Sequence, residues 1–341
     1  MKTIFLSWGK YHSRTDVLAR ALGAQVHYIH RLGRVRGPRL LLKYVLQCRD
    51  TLRLLRRERP EAVLVQTPPV FPAVLAVLYA AVTPGTRVIL DAHSGSFLSR
   101  KWTWSLPLMI WCARRARMTV VHMASLVPVV KAWGAPVMEL GYWFEPEPPA
   151  TEEYPLPAGT NIAVPCSFND DEPVGLIFQA AARMPAVHFH LTGDAGRLPA
   201  ERQAQQPANV HFTGYLTVPA YQGLLRQAHA VLALTTQDQT FQTGGAEAAW
   251  LGRPLIISNW PELQKVFDHG AVFVEHTPES LAEGVRAIQA RGAALAQEMG
   301  QLKRKFDREL LVKVRHLRAV LDENGASVQP QVGDWAADKE R

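Results

Sequence analysis

A proline-rich segment divides this chain into two halves, each of which alternates short apolar runs with longer helical stretches. Five prolines fall within residues 145–157, and such a density fits neither a helix nor a central strand. The apolar runs on both sides are rich in Val, Ile and Leu, as strands buried on both faces are. Strands that alternate with helices form parallel sheets. The sequence therefore predicts two doubly wound α/β domains joined by a linker.

The predicted elements follow this alternation along the whole chain. Strands are predicted at residues 2–7, 25–29, 62–66, 87–91 and 118–122 of the first half, and at 161–165, 187–191, 210–212, 229–234, 254–257 and 271–274 of the second. Helices are predicted at 14–22, 39–58, 71–82, 101–116 and 124–132, and from 278 to about 321. The predicted domains are 1–145 and 158–322, with a linker at 146–157, a last helix that packs back on the first domain, and a flexible tail at 323–341.

Charge is spread unevenly between the two halves. Residues 1–150 hold 21 Lys and Arg against 8 Asp and Glu, whereas the rest of the chain holds 17 against 22. A nucleic-acid binder is not indicated, because the second half is acidic and no RNP or helix-turn-helix signature is present. A dinucleotide oxidoreductase is not indicated either, because no predicted strand is followed by Gly-x-Gly-x-x-Gly.

The segment 234–262 carries the most specific functional signal. A predicted strand ends in a polar loop, and Thr243, Gly244 and Gly245 then open a helix that carries Glu247. The start of a helix offers unpaired N–H groups to a diphosphate, and glycines let a phosphate approach the backbone closely. Glu247 is placed to accept hydrogen bonds from a ribose diol, and the loop 239–242 to present amide groups to sugar hydroxyls. The alternative is an ordinary helix with a surface glutamate.

The same segment resembles the donor site of family-4-like GT-B glycosyltransferases, where two glutamates are separated by seven residues. Glu247 matches the second glutamate, which holds the ribose in that family, and Gln239 replaces the first, which touches the donor sugar. The resemblance implies that Thr240, Phe241 and Gln242 belong to the donor site. It also implies a GT-B fold with two domains facing each other across a cleft, a UDP- or GDP-sugar as substrate, no cofactor and no metal.

Three further loops of the second half belong to the predicted donor site. Residues 162–174 resemble the branch of β-mannosyltransferases that act on dolichol-linked chitobiose, because the Arg and Lys that other members use for the diphosphate are missing here. Ser167 is predicted to donate to a phosphate or, alternatively, to cap the next helix. Gly193 and Tyr215 follow two other strands, and the resemblance places their loops in the nucleotide pocket, with Tyr215 near the base.

Polar residues at strand ends of the first half are the candidates for catalysis. The segments 66–70 and 91–96 resemble the same branch, and Asp91 or His93 is predicted to take a proton from an acceptor hydroxyl. His93 is alternatively predicted to contact the donor sugar, and both residues alternatively only brace their loop. The sequence leaves open whether the transfer inverts or retains the anomeric configuration.

The loop after the first strand is basic. Gly9 ends that strand, and Lys10, His12 and Arg14 follow it. In the GT-B fold this loop meets the diphosphate or the acceptor, so these residues are predicted to supply the cations that the second domain lacks. The alternative is a solvated basic loop.

A second basic segment predicts contact with a membrane. Residues 31–59 contain ten basic and two acidic residues interleaved with leucines, a pattern that favours anionic lipid headgroups. The predicted contacts are Arg39, Lys43, Arg49, Arg53, Arg56 and Arg57, with Trp102 and Trp104 at the interface. The alternative is a core helix with a solvated basic face. With three widely separated cysteines and no visible signal peptide, the prediction is a cytoplasmic protein on the inner face of the membrane.

These patterns together predict a hexosyltransferase that acts on a lipid-linked glycan. Two alternatives stay open. One is a nucleotide-sugar epimerase or hydrolase on the same fold. The other is a catalytically inactive partner subunit, which Gln239 and the missing basic pair would suit.

Overall fold

The computed structural model describes residues 1–33, 35–141, 152–238 and 240–322, which form two compact units. The N-terminal unit contains the described residues up to Gly141 and those from Leu310 onward, and the C-terminal unit contains those between them. The predictions for Gln239, for linker residues 146–151 and for the tail lie outside the described residues.

The N-terminal unit is built on a six-stranded parallel sheet with the order β2-β1-β3-β4-β5-β6. Its strands are β1 (Thr3–Ser7), β2 (Gln25–Tyr28), β3 (Ala62–Thr67), β4 (Arg87–Ala92), β5 (Met118–Val121) and β6 (Val137–Glu139). Its helices are α1 (Ser13–Leu22), α2 (Pro38–Glu58), α3 (Phe71–Val82), α4 (Gly95–Leu98), α5 (Leu106–Ala113) and α6 (Val127–Ala132). Strand β1 and most of β3 and β4 are buried, which explains why these strands read as unbroken apolar runs.

The C-terminal unit has a second six-stranded parallel sheet, with the order β12-β11-β10-β7-β8-β9. Its strands are β7 (Thr160–Val164), β8 (Val187–Thr192), β9 (Val210–Gly214), β10 (Ala230–Ala233), β11 (Leu255–Ser258) and β12 (Ala271–Val274). Its helices are α7 (Val174–Ala182), α8 (Ala200–Gln203), α9 (Val218–Gln227), α10 (Thr243–Leu251), α11 (Pro261–Val266) and α12 (Pro278–Asp322). The last residues of α12 belong to the N-terminal unit, where Lys313 Nζ lies 2.8 Å from Glu139 Oε2.

The two doubly wound sheets confirm the predicted fold class, and three local predictions differ from the structure. The predicted helix 101–116 is shorter, because Pro107 has no N–H to donate and therefore fits only in the first turn of α5, which begins at Leu106. The predicted helix 124–132 is also shorter, because Pro128 lies in the first turn of α6, which begins at Val127. Strand β6 was not predicted, because its three residues are too few to show a pattern.

Both sheets direct their functional loops to one edge. In parallel sheets, ligands bind outside the carboxyl ends of the strands, at the point where the strand order reverses. In the C-terminal unit this point lies between β7 and β10, and in the N-terminal unit it lies between β1 and β3.

Candidate functional site

A pocket of about 430 Å³ lies at the carboxyl edge of the C-terminal sheet. Its walls are loops that follow β7, β8 and β9, together with the start of α10. The lining residues are Pro165, Cys166, Ser167, Asn169, Asp171, Glu172, Thr192, Gly193, Tyr215, Leu216, Tyr221, Thr240, Phe241, Gln242, Thr243, Gly244 and Glu247. The predicted donor residues within the described chain therefore share one pocket, with the exception of Gly245.

Helix α10 opens on this pocket without a side-chain cap. Gln242 precedes the helix in an extended conformation, and its side chain makes no hydrogen bond to the first turn. The Gly245 N–H donates to the carbonyl oxygen of Gln242 at 3.0 Å. An anion in the pocket would therefore meet the N–H groups of Thr243 and Gly244 and the positive end of the helix dipole. The helix ends at Gly252, which adopts the left-handed conformation at φ +65°.

The two glycines of α10 have different neighbours. A Cβ atom on Gly245 would lie 2.6 Å from Cζ of Phe267, so this glycine is needed for packing against the core of the unit. A Cβ atom on Gly244 would lie 3.1 Å from Cγ of Pro165, on the side of the helix that lines the pocket. Only Gly244 therefore suits the predicted close approach of a phosphate.

Glu247 lies at the wall of the pocket and is only 7% exposed. Burial raises the pKa of its carboxyl group to about 7, although the hydroxyl group of Tyr221 donates a hydrogen bond to Oε2 and lowers the pKa. The group therefore changes its charge near neutral pH. Tyr221 comes from α9, and no local pattern in the sequence links it to Glu247.

Loop packing brings the ends of β7 and β8 together. Gly193 has φ +90°, and a Cβ atom there would collide with the carbonyl oxygen of Cys166, so only glycine fits. Tyr215, after β9, is 80% exposed and lines the same pocket. An exposed ring at the rim of a pocket is suited to stacking on a planar ligand.

A buried cluster of charged and imidazole groups lies at the carboxyl edge of the N-terminal sheet. Asp91, at the end of β4, is completely buried and forms an ion pair with Arg14, whose Nη2 lies 3.3 Å from Oδ1. Arg14 is 1% exposed, and its guanidinium also donates to the carbonyl oxygen of Gly141. Arg14 therefore faces the interior and is not placed to bind the diphosphate or acceptor that the sequence predicted for it.

Three histidines complete this cluster. His93 Nε2 lies 3.1 Å from Asp91 Oδ2, and His122 Nε2 lies 3.6 Å from Oδ1. The ring of His12 meets that of His93 edge-on, with 4.6 Å between centroids. Burial, followed by the charge of His93, lowers the pKa of His12 to about 3, so this imidazole is neutral. Lys10, in the loop before it, is exposed.

The charge of Asp91 is fixed by its neighbours. Burial raises its pKa, but Arg14, His93 and His122 together hold the pKa well below its usual value. An ionised carboxylate can only accept hydrogen bonds, so His93 donates one to Asp91 through Nε2. His93 is partly exposed, with 15% of its side chain accessible. Of the two catalytic candidates, only His93 can meet a ligand, and Asp91 orients it.

The cluster also contains three potential metal ligands. One ligand atom each of Asp91, His93 and His122 lie within 4.8 Å of one another. The Arg14 guanidinium, however, is bound to the same carboxylate, and its positive charge opposes a cation there. This set of groups fits an ion pair beside a hydrogen-bonded His93 and a neighbouring His122 better than a metal centre.

Comparison with known proteins finds one family model that matches part of the chain and solved structures that share its fold. Residues 171–290 match the sequence model of glycosyl transferases group 1. No curated protein sequence matches the chain.

Solved structures resemble the chain over nearly its whole length. Sucrose-phosphate synthase from Thermosynechococcus elongatus has a TM-score of 0.70 at 14% identity, covering 94% of this chain and 98% of that one. HepE from Anabaena, in complex with UDP and glucose, has a TM-score of 0.67 at 12% identity, with 94% and 99% covered. A putative UDP-N-acetylglucosamine 2-epimerase from Listeria monocytogenes has a TM-score of 0.61 at 12% identity, with 93% and 97% covered. At such identities the likeness is one of fold, and the fold is GT-B.

Proposed function

We propose that this chain, a glycosyltransferase of the GT-B type, takes a sugar from a UDP- or GDP-sugar held in the C-terminal pocket and transfers it to a lipid-linked glycan at a membrane surface. The match of residues 171–290 to group 1 glycosyl transferases and the two-sheet fold support the reaction class. HepE, which shares the fold, has been crystallised with UDP and with UDP-glucose, and this supports a uridine nucleotide as the first candidate.

The observation that carries the donor proposal is the arrangement of Glu247 and the start of α10 in one pocket. A diphosphate at the uncapped helix start would face backbone donors. A ribose beside Glu247 would donate its two hydroxyl groups to the carboxylate, while Tyr215 offers a ring at the rim for the base. No cofactor is required by this scheme.

Product analysis separates the proposal from its alternatives. The purified chain is first screened for stabilisation by UDP, GDP and their sugars, and then incubated with a radiolabelled donor and a lipid-linked glycan. A transferase moves the label into the lipid fraction. An epimerase changes the sugar while it stays on the nucleotide, a hydrolase releases free sugar, and an inactive partner subunit leaves the donor intact.

Glu247→Ala is expected to weaken binding of the nucleotide sugar by about 1.5–3 kcal/mol, which is about ten- to a hundredfold in Kd. The variant loses the hydrogen bonds that the ionised carboxylate accepts from the ribose. Isothermal titration calorimetry measures the effect, with Glu201→Ala as a control because Glu201 is an exposed glutamate of the same unit outside the pocket. An unchanged Kd in Glu247→Ala would show that Glu247 does not bind the ribose.

The pKa of about 7 gives the same site a pH dependence. As pH rises from about 6 to about 8 the Glu247 carboxyl group ionises, so affinity for the nucleotide sugar is expected to increase about tenfold in the wild type and to stay flat in Glu247→Gln. A nucleotide sugar is the right probe because its diphosphate has no proton that titrates in this range. A pH dependence that persists in Glu247→Gln would assign the titration to another group.

The acceptor proposal rests on an exposed apolar and basic surface of the N-terminal unit. In α2, Leu54 and Leu55 are buried, whereas Leu41, Leu42 and Val45 are 51–69% exposed. The exposed basic residues on the same helix are Arg39, Arg49, Arg53, Arg56 and Arg57. Lys43 is half-buried, and its Nζ donates to the carbonyl oxygen of Gly33.

An aromatic series continues this surface. The Tyr44 and Phe71 ring centroids are 5.0 Å apart, and those of Phe71 and Trp104 are 6.0 Å apart, so Trp104 lies close to α2. Trp104 is 59% exposed, while Trp102 is half-buried with Lys101 Nζ 5.2 Å from its ring. Exposed leucines and a tryptophan flanked by arginines suit the headgroup region of an anionic bilayer. No described helix has the length and apolar character needed to span one.

Leu41→Gln and Arg49→Gln are each expected to weaken binding to anionic vesicles by about 1 kcal/mol, about fivefold. One change removes inserted apolar surface and the other removes a charge. Co-sedimentation with vesicles that contain phosphatidylglycerol measures the effect, with Val82→Gln as a control because Val82 is an exposed apolar residue, 79% accessible, on α3 instead of α2. Equal sedimentation of wild type and both variants would leave the membrane proposal without support.

A further inference from the structure

The donor pocket presents an electrostatic problem for a diphosphate. Its described lining includes three carboxyl groups, on Asp171, Glu172 and Glu247, and no lysine or arginine. A nucleotide sugar brings two more negative charges. Negative charges within one pocket repel one another, so the diphosphate needs a cation from a residue outside the lining.

The backbone N–H groups after β7 do not bind the diphosphate, because they already donate hydrogen bonds within the chain. The Glu172 carboxylate accepts hydrogen bonds from the backbone N–H of Ser167, at 3.0 Å, and of Asn169, at 2.7 Å. Such a turn of backbone N–H groups would otherwise form a concave site for an anion. In this chain the anion in that position is Glu172 itself.

Arg197 is the basic residue that the fold brings to this place. It ends a short turn after β8 that Asp194 caps by accepting a hydrogen bond from the backbone N–H of Gly196, at 3.1 Å. Its Nη1 donates to the carbonyl oxygen of Ser167 and lies 3.5 Å from Asn169 Oδ1. Both partners are uncharged and both belong to pocket-lining residues, so the guanidinium is held at the pocket with its charge uncompensated by them.

Two further observations place the charge of Arg197 at the pocket. Gly193 lets the loop that carries Arg197 pack directly on the carbonyl group of Cys166, which fixes the two loops together. Burial and the charge of Glu172 raise the pKa of the Cys166 thiol in the lining, and the nearby charge of Arg197 lowers it by a smaller amount. The guanidinium itself is exposed to solvent, so it is accessible to a ligand.

We propose that Arg197 binds the diphosphate of the donor nucleotide sugar through the guanidinium N–H groups that do not contact Ser167. The inference rests on the proposed function and deepens it, since it supplies from the loop after β8 the cation that is absent after β7. Arginine suits this task because its planar guanidinium presents two parallel N–H donors to a phosphate.

Nucleotide titrations test this inference. Kd is measured by calorimetry for UDP and GDP and for uridine and guanosine, on the wild type, Arg197→Ala and Arg197→Lys. Arg197→Ala is expected to weaken binding of the diphosphate about 10- to 100-fold and to leave nucleoside binding unchanged. Arg197→Lys keeps the charge and is expected to lose about threefold. Arg202→Ala is the matched control, because Arg202 is the next arginine along the chain and is exposed, and it lies against Gly175 outside the pocket.

The possible outcomes separate this inference from the donor proposal. If the wild type binds UDP or GDP and Arg197→Ala binds it equally well, the role of Arg197 is refuted while the pocket stands. If the wild type binds neither nucleotide, both fall together. An equal loss of nucleoside and diphosphate affinity in Arg197→Ala, with Arg197→Lys no better, would show a collapsed loop and would also refute a contact with the diphosphate.

Discussion

Replacing Asp91 by asparagine is expected to lower the free energy of unfolding of the N-terminal unit by about 3–5 kcal/mol. The substitution removes the charge of a carboxylate that is completely buried and leaves the Arg14 guanidinium, 1% exposed, without its counter-ion. Desolvating an unpaired charge is costly, whereas an intact buried pair is nearly neutral in free energy. Urea denaturation is monitored by hydrogen exchange of peptides from β1 and β4, because these strands report on the N-terminal unit separately from the other unit.

A matched substitution and a double variant control this prediction. Asp50→Asn makes the same change in a surface pair with Arg31, whose side chain is 54% exposed, and is expected to cost under about 1 kcal/mol. Arg14→Met in the background of Asp91→Asn removes the orphaned charge and is expected to recover part of the loss. If Asp91→Asn costs no more than Asp50→Asn, the pair is not a stabilising constraint on the unit.

The pH dependence of this contribution follows from the sign of the pKa shift. The pKa of Asp91 is depressed in the folded chain, so its contribution is fully present above the pKa of an unfolded aspartate. It is lost progressively as pH falls from the unfolded pKa towards the still lower folded value, below which nothing of it remains. Wild type and Asp91→Asn are therefore expected to differ in stability by a constant amount from neutral pH down to about pH 4, and to converge only in stronger acid.

The fold was accessible from the sequence because buried parallel strands leave an unmistakable pattern. The run from Ala230 to Ala233 and that from Leu255 to Ser258 are entirely buried and are apolar except for Ser258, and both strands were predicted within one residue of their ends. The helix between them stops at Gly252, which adopts a left-handed conformation that favours glycine. Short or half-buried elements such as β6 lack such a pattern.

The sites were less accessible, because burial and long-range contacts decide them. Arg14 reads in the sequence as one more cation of a basic loop, and only the fold shows that it turns inward to Asp91, 77 positions away. Tyr221 lies 26 positions from the carboxylate it contacts. Arg197 lies 30 positions from Ser167. Side chains brought together by sheet topology carry no common local signal, so the sequence identified loops but not the partners within them.

Replacing His93 by alanine is expected to reduce the rate of sugar transfer about 100- to 10,000-fold without changing affinity for the nucleotide sugar. His93 Nε2 donates to Asp91 Oδ2 at 3.1 Å, so in the neutral imidazole Nδ1 carries the lone pair that would take a proton from the acceptor hydroxyl. His122→Asn is the control, because His122 lies beside the same carboxylate but is only 6% exposed and is expected to lose less than about tenfold. Single-turnover rates at saturating donor, together with donor Kd, separate chemistry from binding.

The same experiment distinguishes the two roles that the sequence left open for His93. If His93 is the proton acceptor, its loss lowers the rate of the chemical step alone. The product of the wild type then has the inverted anomeric configuration, since only an inverting transfer needs a base opposite the leaving group. A contact with the donor sugar would instead raise the Kd of the nucleotide sugar and leave that of the free nucleotide unchanged. Wild-type rate and affinity in His93→Ala would contradict both roles, and His93 would then only brace the loop after β4 through its bond to Asp91.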